Sequence, residues 1–562
     1  MRPLLYLSLF LSSFKSCFCI SDIPVYVALK QYNIKFLESR LKDISNPLSD
    51  EYGNWMEINE IKKVISPPKE HTNTVINWIN NYNITNVKNY GDNIKFVGSP
   101  LTIAKMFSIS NNICSPNINI YNLINYKIPT HLSHVIDFIE MFSNKIYKSV
   151  KVNYVKRNTK TDNRYFGREP LINLYNIPTY NLQHNVSVGL VEYQNNNGFT
   201  NSDINIQQIL NEQAINNITN IVGNNIGIDV ETELDVQLVS QAADGVDSWL
   251  WQTPYWLYSF AVDFFNKETV PDILSMSWGW AQDSQCDIID CNKITSQQYV
   301  ERVNNEYLKI ALRGKTITVS SGDAGAPGRT SEECDSSRPI NPTFPASSPY
   351  VLSVGATYVE NDNSTCNYTT PLCLNDGCIT STNEKSIQFS SVGWTAGGGF
   401  DKYQTKTPWW QSIAVKSYIN SGVILPNQSI YNKNGRVYPD VSAIGHSCPT
   451  IIDNQLTGVD GTSCSSPIMA GLLSIINNYM WIHHKIKIGF VNPLLYYIHQ
   501  HCPDCFQDVK EGYNWCTEEM CCDDPTNYGF NATIGYDPVS GLGTLNVNNI
   551  LQFIKNVLQK SS

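Results

Sequence analysis

Ile273-Leu-Ser-Met-Ser-Trp278 and Thr316-Ile-Thr-Val-Ser-Ser321 are the stretches on which the fold class turns. Both read as short, mostly apolar strands that run out into polar residues or glycine. Working outward, Val186-Ser-Val-Gly-Leu-Val-Glu192 reads as another strand, and Asp229 to Ala242 reads as a helix. Strands that alternate with helices are the signature of an α/β domain built on a mainly parallel sheet. In such sheets functional sites gather at the C-terminal ends of the strands. No internal repeat is found.

The chain has 562 residues, 42% of them hydrophobic, so it is long enough for more than one domain and a large core. Its organisation divides into three stretches after a leader. Residues 22–150 mix strand and helix patterns, with Val25 to Lys30 reading as a strand and Thr72 to Ile79 as a helix. Residues 151–169 are rich in Lys, Arg, Asn and Thr and poor in apolar side chains, a linker composition that a protease would cut. The α/β pattern occupies residues 170–562. Charge is split between the parts: residues 22–169 carry a net +6 and residues 170–562 a net −18. A basic piece beside an acidic one can associate electrostatically, although both can also be ordinary solvated surfaces. The strongly acidic part argues against nucleic acid as a partner. Runs such as Asn195-Asn196-Asn197 read as polar loops.

Residues 1–21 read as a signal peptide: Arg2 supplies charge, and Leu4 to Phe14 is a short apolar run, too short to span a bilayer. No later segment is long and apolar enough to span one. The expectation is therefore a soluble, exported protein. The 16 Cys agree, with late clusters at Cys366, Cys373 and Cys378 and at Cys502, Cys505, Cys516, Cys521 and Cys522. Export makes disulfides the expected fate, with connectivity unreadable; zinc at Cys502-Pro-Asp-Cys505 is the weaker alternative, because no second ligand pair accompanies it. Asn-x-Ser/Thr sequons begin at Asn83, Asn185, Asn217, Asn363, Asn367, Asn427 and Asn531.

Three short motifs carry chemistry. In Gly461-Thr-Ser463-Cys-Ser-Ser-Pro467, Ser463 stands ahead of the apolar helical run Ile468 to Ile476. A Ser there can be a nucleophile whose oxyanion meets backbone N–H groups, or a plain N-cap. In Glu231-Thr-Glu-Leu-Asp235 the carboxylates at i and i+4 share one helix face, where a shared proton or an exposed acidic face are both open readings. In Ser321-Gly-Asp323-Ala-Gly325 an Asp sits between glycines just past a strand, either at a site or in a turn.

In combination and in this order the three motifs resemble the sedolisin family of serine-carboxyl peptidases. Further matches are Ser275-Met-Ser-Trp-Gly279, Phe344-Pro-Ala-Ser-Ser-Pro-Tyr350, Ala396-Gly-Gly-Gly-Phe400 and Tyr438-Pro-Asp-Val-Ser442. The resemblance implies a subtilisin-like, mainly parallel α/β sheet flanked by helices, preceded by a smaller α+β inhibitory prosegment domain. It implies that Ser463 is the nucleophile, Glu231 the general base, Asp235 the residue that orients Glu231, and Asp323 the protonated acid that donates to the oxyanion. An acid working range follows from that last role. Cys464, Ala324 and Ala396 depart mildly from the family pattern. None of the nine His stands in a comparable glycine-flanked setting; His446 lies shortly before Ser463, and a structural role is expected for all.

The resemblance also implies one Ca2+ held by Asp508, the carbonyls of Val509, Thr533 and Gly535, and Asp537, from Gln507-Asp-Val509 and Thr533-Ile-Gly-Tyr-Asp-Pro538. Arg436-Val-Tyr-Pro-Asp-Val441 and Gly489-Phe-Val-Asn-Pro-Leu-Leu-Tyr496 are similar to the members that release tripeptides from free N-termini. The implied partners are peptide and unfolded-protein substrates and the chain's own prosegment, on a secretory route to the lysosome or the exterior. The alternatives are an endopeptidase of the same type, or an inactive secreted binding glycoprotein on this scaffold. The inactive reading is opposed by the presence of all four site residues.

Overall fold

The computed structural model describes residues 22–109, 126–141, 153–154, 164–182, 186–193, 198–289, 291–292, 294–330, 338–360, 367–522 and 528–558. The expected signal peptide therefore lies outside the described residues. Two compact units divide the chain, and residues 31–66 belong with the second, C-terminal one.

The first unit is a small α+β body made of residues 22–30, 67–109 and 126–141. Ile23–Leu29 pairs antiparallel with Asn93–Gly98 on one side and Ile136–Met141 on the other, and Lys88–Asn89 completes four strands. The helix Lys69–Asn80 covers the sheet, with Val75, Trp78 and Ile79 in one core with Val25, Val27, Phe96 and Phe107. Both sequence-read elements are present here.

The second unit is built on an eight-stranded, mainly parallel sheet. Its parallel strands run in the order Asn220–Val222, Asp247–Gln252, Ser187–Glu192, Ile273–Met276, Thr316–Ser320, Leu352–Val359 and Val441–Ile444. Glu384–Ser386 pairs antiparallel with the end of Leu352–Val359. All eight residues of Leu352–Val359 are buried, as a parallel sheet covered on both faces requires. Helices Val230–Ala242 and Thr462–His484 share one continuous core with the sheet, including Leu190, Leu234, Leu238, Ile273, Leu352, Met469 and Leu472. The α/β reading of the fold, a mainly parallel sheet flanked by helices, holds.

Candidate active site

Two parallel helices set the site. Gly471 of Thr462–His484 packs so closely on Val230–Ala242 that a Cβ there would lie 2.7 Å from Ala242 Cβ and 3.3 Å from Val239 O. Gly471 is eight residues past Ser463 and Val239 eight past Glu231, about 12 Å along each axis. The two N-termini are therefore level, which brings Glu231 and Ser463 together. Asp229 caps its helix by accepting from Thr232 N at 3.2 Å. Each helix points its positive end at the site.

Glu231, Asp235, Asp323 and Ser463 are all buried. Glu231 Oε1 takes no hydrogen bond from the protein, although the Ser463 hydroxyl lies close enough to favour its charged form. Burial pushes the Glu231 carboxyl well above the usual carboxylate range; Ser463 opposes the shift, and the charges of Asp229 and Asp323 add to it. Asp235 is raised by burial first, then by Glu231 and Glu192, with Ser277 opposing. Ser277 Oγ reaches both Asp235 oxygens at 2.9 Å. Two interacting buried carboxyls titrate as a pair, so the pair carries a proton over a wide pH range.

Asp323 follows the strand Thr316–Ser320. Its Oδ1 accepts from Thr462 N at 2.8 Å and from Thr462 Oγ1 at 2.7 Å. Its Oδ2 stands beside Gly461, where a Cβ would be 3.5 Å away, and 3.8 Å from Arg329 Nη2. Arg329 is held in turn by Glu518 at 3.1 Å. Ser463, Asp323, Thr462, Ser277, Trp278 and Arg329 line one cleft. A nucleophile, a protonatable base and an acid on the opposite wall can together perform acyl transfer at a bound carbonyl.

Several site residues carried no assigned role in the sequence. Ser277 and Trp278 lay inside a quoted motif without one. Glu192 ends the strand beside Ile273–Met276 and accepts from Trp278 Nε1 at 2.8 Å; a charged residue closing an apolar strand was the available signal. Thr462 and Arg329 gave no signal apart from their neighbours. His446 contacts Asp460 through Nδ1 at 2.7 Å, and Asp460 also takes Ser447 N. The histidine thus clamps the hairpin Cys448–Ile452/Gln455–Asp460, in keeping with a structural role. Cys464 is buried beside Cys448.

Comparison with known proteins bears on the reaction class. A pro-kumamolisin activation domain matches residues 20–144, and the subtilase peptidase family matches residues 230–485. Physarolisin of Physarum polycephalum is 34% identical over 549 residues, covering 95% of this chain and 94% of that one. The chain belongs to the sedolisin family of serine-carboxyl peptidases. It is a serine peptidase with a prosegment, made as a zymogen. Tripeptidyl-peptidase 1 of Dictyostelium discoideum is 28% identical, over 95% of this chain and 89% of its own. A Pseudomonas sedolisin structure matches the fold with a TM-score of 0.51 at 22% identity, covering 70% of this chain and 99% of that one.

Disulfides in this sedolisin-family chain join Cys286–Cys291, Cys373–Cys378, Cys502–Cys505 and Cys516–Cys521. The Cys502–Cys505 bridge removes the zinc alternative. Among the described residues no group of three His, Cys, Asp or Glu is placed to hold a metal. The two sequence elements expected to hold calcium are nonetheless brought together: Gly535 N donates to Asp508 Oδ2 at 2.9 Å, and Ser540 Oγ to Val509 O at 3.3 Å. Asp508 Oδ1 and Thr533 Oγ1 are buried without a hydrogen-bond partner. Burial pushes the Asp537 carboxyl up to about 7, against donors that favour its charged form. Two carboxylates, orphaned oxygens and a turn suit a hard cation.

Proposed function

We propose that the chain is an acid-active serine-carboxyl peptidase that releases tripeptides from free N-termini of peptides, with Ser463, Glu231, Asp235 and Asp323 as its catalytic residues. The observation that carries the reading is the meeting of these four buried groups at level helix N-termini and a strand end, with Ser463 and Asp323 lining one cleft and the Glu231–Asp235 pair behind Ser463. Ser463 Oγ attacks the scissile carbonyl and its proton passes to the Glu231 carboxylate beside it. Asp235, fixed by Ser277, orients Glu231. Asp323 Oδ1 is occupied by Thr462, so the proton sits on Oδ2 and is donated to the oxyanion. Glu231 then returns its proton to the leaving amine, and water repeats the sequence on the acyl-enzyme.

Similarity to tripeptidyl-peptidase 1 over 95% of the chain supports the exopeptidase reading. One observation favours an endopeptidase instead: Arg329, a cation on the cleft wall, repels a free amine. Hydrolysis of peptides with free and blocked N-termini at acid pH separates the two. Cleavage in threes from free ends only supports the first reading, cleavage of both kinds of peptide the second, and no cleavage of either removes both.

Three further assignments belong to this reading. Asp508, Asp537 and the carbonyls of Val509, Thr533 and Gly535 would hold one Ca2+, which on binding cross-links two C-terminal segments. Residues 22–150 form the prosegment and 151–169 the processing linker. The product follows the secretory route to the lysosome or the exterior as a glycoprotein. The exposed sequons at Asn83, Asn217, Asn367 and Asn427 support glycosylation, and among the described residues no helix is long and apolar enough to cross a membrane.

A further inference from the structure

Residues 31–66 pack with the peptidase unit rather than with the four-stranded body that precedes and follows them in sequence. The helix Ile34–Ser45 in this arm lies against the helix Ser296–Leu312. At its start, Gln31 donates to Glu306 at 3.1 Å and accepts from Asn305 at 2.9 Å. The arm then turns through Tyr52-Gly-Asn-Trp-Met56. Met56 N donates to Leu312 O at 2.8 Å, and Trp55 Nε1 to Lys487 O at 3.2 Å.

The indole of Trp55 lies directly on two glycines. A Cβ at Gly314 would be 2.3 Å from indole Cγ, and one at Gly489 would be 1.9 Å from Cζ2. Both glycines have left-handed backbone, φ +69 and +59, so any side chain there would be strained as well as in collision. The slot is thus assembled by two separate parts of the peptidase unit: the turn that joins Ser296–Leu312 to Thr316–Ser320, and the loop after Thr462–His484.

Its position is remote from the cleft. Gly314 precedes the N-terminal end of Thr316–Ser320, while Asp323 follows the C-terminal end, so the five-residue strand separates them by about 17 Å. Gly489 follows the helix whose first turn carries Ser463, but the chain folds back there, with Ile488 N donating to Asn477 Oδ1 at 2.9 Å; Asn477 lies fourteen residues past Ser463, about 21 Å along that axis. A group held in the slot does not occupy the substrate's place.

We propose that the Gly314–Gly489 slot is an exosite whose occupant is the Trp55 turn of the chain's own prosegment, and that it retains the prosegment on the enzyme after the linker is cut. The proposal rests on the zymogen reading above. A large indole seated on a close-fitting surface is the usual anchor of an association. The contacts made by the turn are a backbone hydrogen bond, an indole hydrogen bond and apolar packing, none of which is lost on protonating a carboxylate. Linker cleavage and prosegment release are therefore separate steps, and the cut complex is held partly outside the cleft.

The full secreted chain provides the test. Trypsin at neutral pH cuts the linker after its Lys and Arg residues, with no need of the chain's own activity, and the nicked protein is passed over a sizing column. In the wild type the 22–150 fragment co-elutes with the peptidase; in Trp55→Ala at least ten times more of it separates, and Trp55→Phe lies between. Separation of the wild-type fragment on nicking, or wild-type retention in Trp55→Ala, overturns the proposal. Should Trp55→Ala fail to be secreted, synthetic peptides of residues 50–57 decide: the natural peptide at millimolar concentration displaces the fragment and the Trp55→Ala peptide does not, and equal behaviour of the two overturns the slot. A stripped enzyme that cleaves no peptide would remove the peptidase reading while leaving the co-elution result intact.

Discussion

Asp323 presents its two oxygens to different surroundings, Oδ1 to both donors of Thr462 and Oδ2 to the cleft. In the proposed mechanism a proton on Oδ2 is needed, and raising pH both removes that donor and adds negative charge where more develops. Activity is expected to fade as pH nears neutral. Asp323→Asn should be slower by roughly 100-fold, the cost of weakening one oxyanion donor, but its alkaline limb should move up or flatten, because an amide donates at every pH. A pH–rate profile that keeps the wild-type alkaline limb would refute the assignment. Ser463→Ala and Glu231→Ala should each lose at least about 1,000-fold in kcat/KM, with the double variant little worse, because members of one catalytic unit are not additive. Either single variant retaining most of its activity would remove its residue from the mechanism. The four residues were legible because glycines flank two of them and the third motif sets two carboxylates at i and i+4. Burial was not legible: read alone, Glu231 and Asp235 also fitted a solvated face, and only packing against Thr462–His484 excludes it. Ser277, Glu192 and Arg329 escaped notice because their partners come from neighbouring strands and distant loops.

At the scale of elements, the level N-termini depend on the absence of a side chain at Gly471. Gly471→Leu should push the two helices apart, costing about 1–3 kcal/mol as overpacking does and lowering kcat more than the melting temperature alone would suggest. Unchanged turnover in a folded Gly471→Leu enzyme would mean that Glu231 and Ser463 do not rely on this contact. The C-terminal elements make a second case. Gln507–Val509 and Thr533–Asp537 come from separate segments, and an ion bound only by the folded state stabilises it by mass action. Chelation, or Asp537→Ala, should lower the melting temperature of calcium-loaded enzyme by several degrees. No change, in a sample shown to contain calcium beforehand, would count against the site. The individual strands and helices were legible from periodicity, and each sequence-read element is present within a few residues. Their order in the sheet was not, since Ser187–Glu192 pairs with both Asp247–Gln252 and Ile273–Met276 through contacts that no local pattern encodes. Nor did local pattern separate residues 31–66 from the residues on either side, because the division rests on contacts between segments distant in sequence.

Over the whole molecule, processing and working pH can each be tested. Asn153–Tyr154 pairs antiparallel with Asp460 and Val459, the residues that lead into Gly461 and Ser463; if residues 151–169 are the processing linker, as proposed, sequencing should find a mature N-terminus within or just after them, and one near Asp22 would refute that proposal. The working range also has a stability counterpart. Glu384 is fully buried, accepting from Thr357 Oγ1 at 2.7 Å and Tyr175 OH at 3.4 Å, and burial pushes its carboxyl up to about 7. Glu233 is pushed up to about 8, again by burial first, against donation from Thr200 N and Gln237 and with Asp203 adding repulsion. A carboxyl whose folded value lies above its unfolded value of 4.5 binds its proton more tightly in the native state. Its stabilisation is complete below about pH 4.5 and is lost as pH rises through about 7 and 8. Groups shifted the other way act in a different window. Glu169, held down by Thr369 and Thr370 against the push of burial, and Asp283, held down by Lys402 against the same push, cost stability only as pH falls below the usual carboxylate range. Between about pH 4.5 and 8 the raised groups govern, and Glu384 alone accounts for up to about 3 kcal/mol at ~1.4 kcal/mol per pH unit. The processed enzyme, with calcium in excess throughout, should therefore melt highest near pH 4.5 and progressively lower towards pH 8. Glu384→Gln, which keeps a hydrogen-bonding carbonyl but cannot ionise, should flatten that slope. A wild type that melts higher at pH 8 than at pH 4.5, or a Glu384→Gln enzyme with the wild-type slope, would show that these buried carboxyls do not adapt the fold to acid.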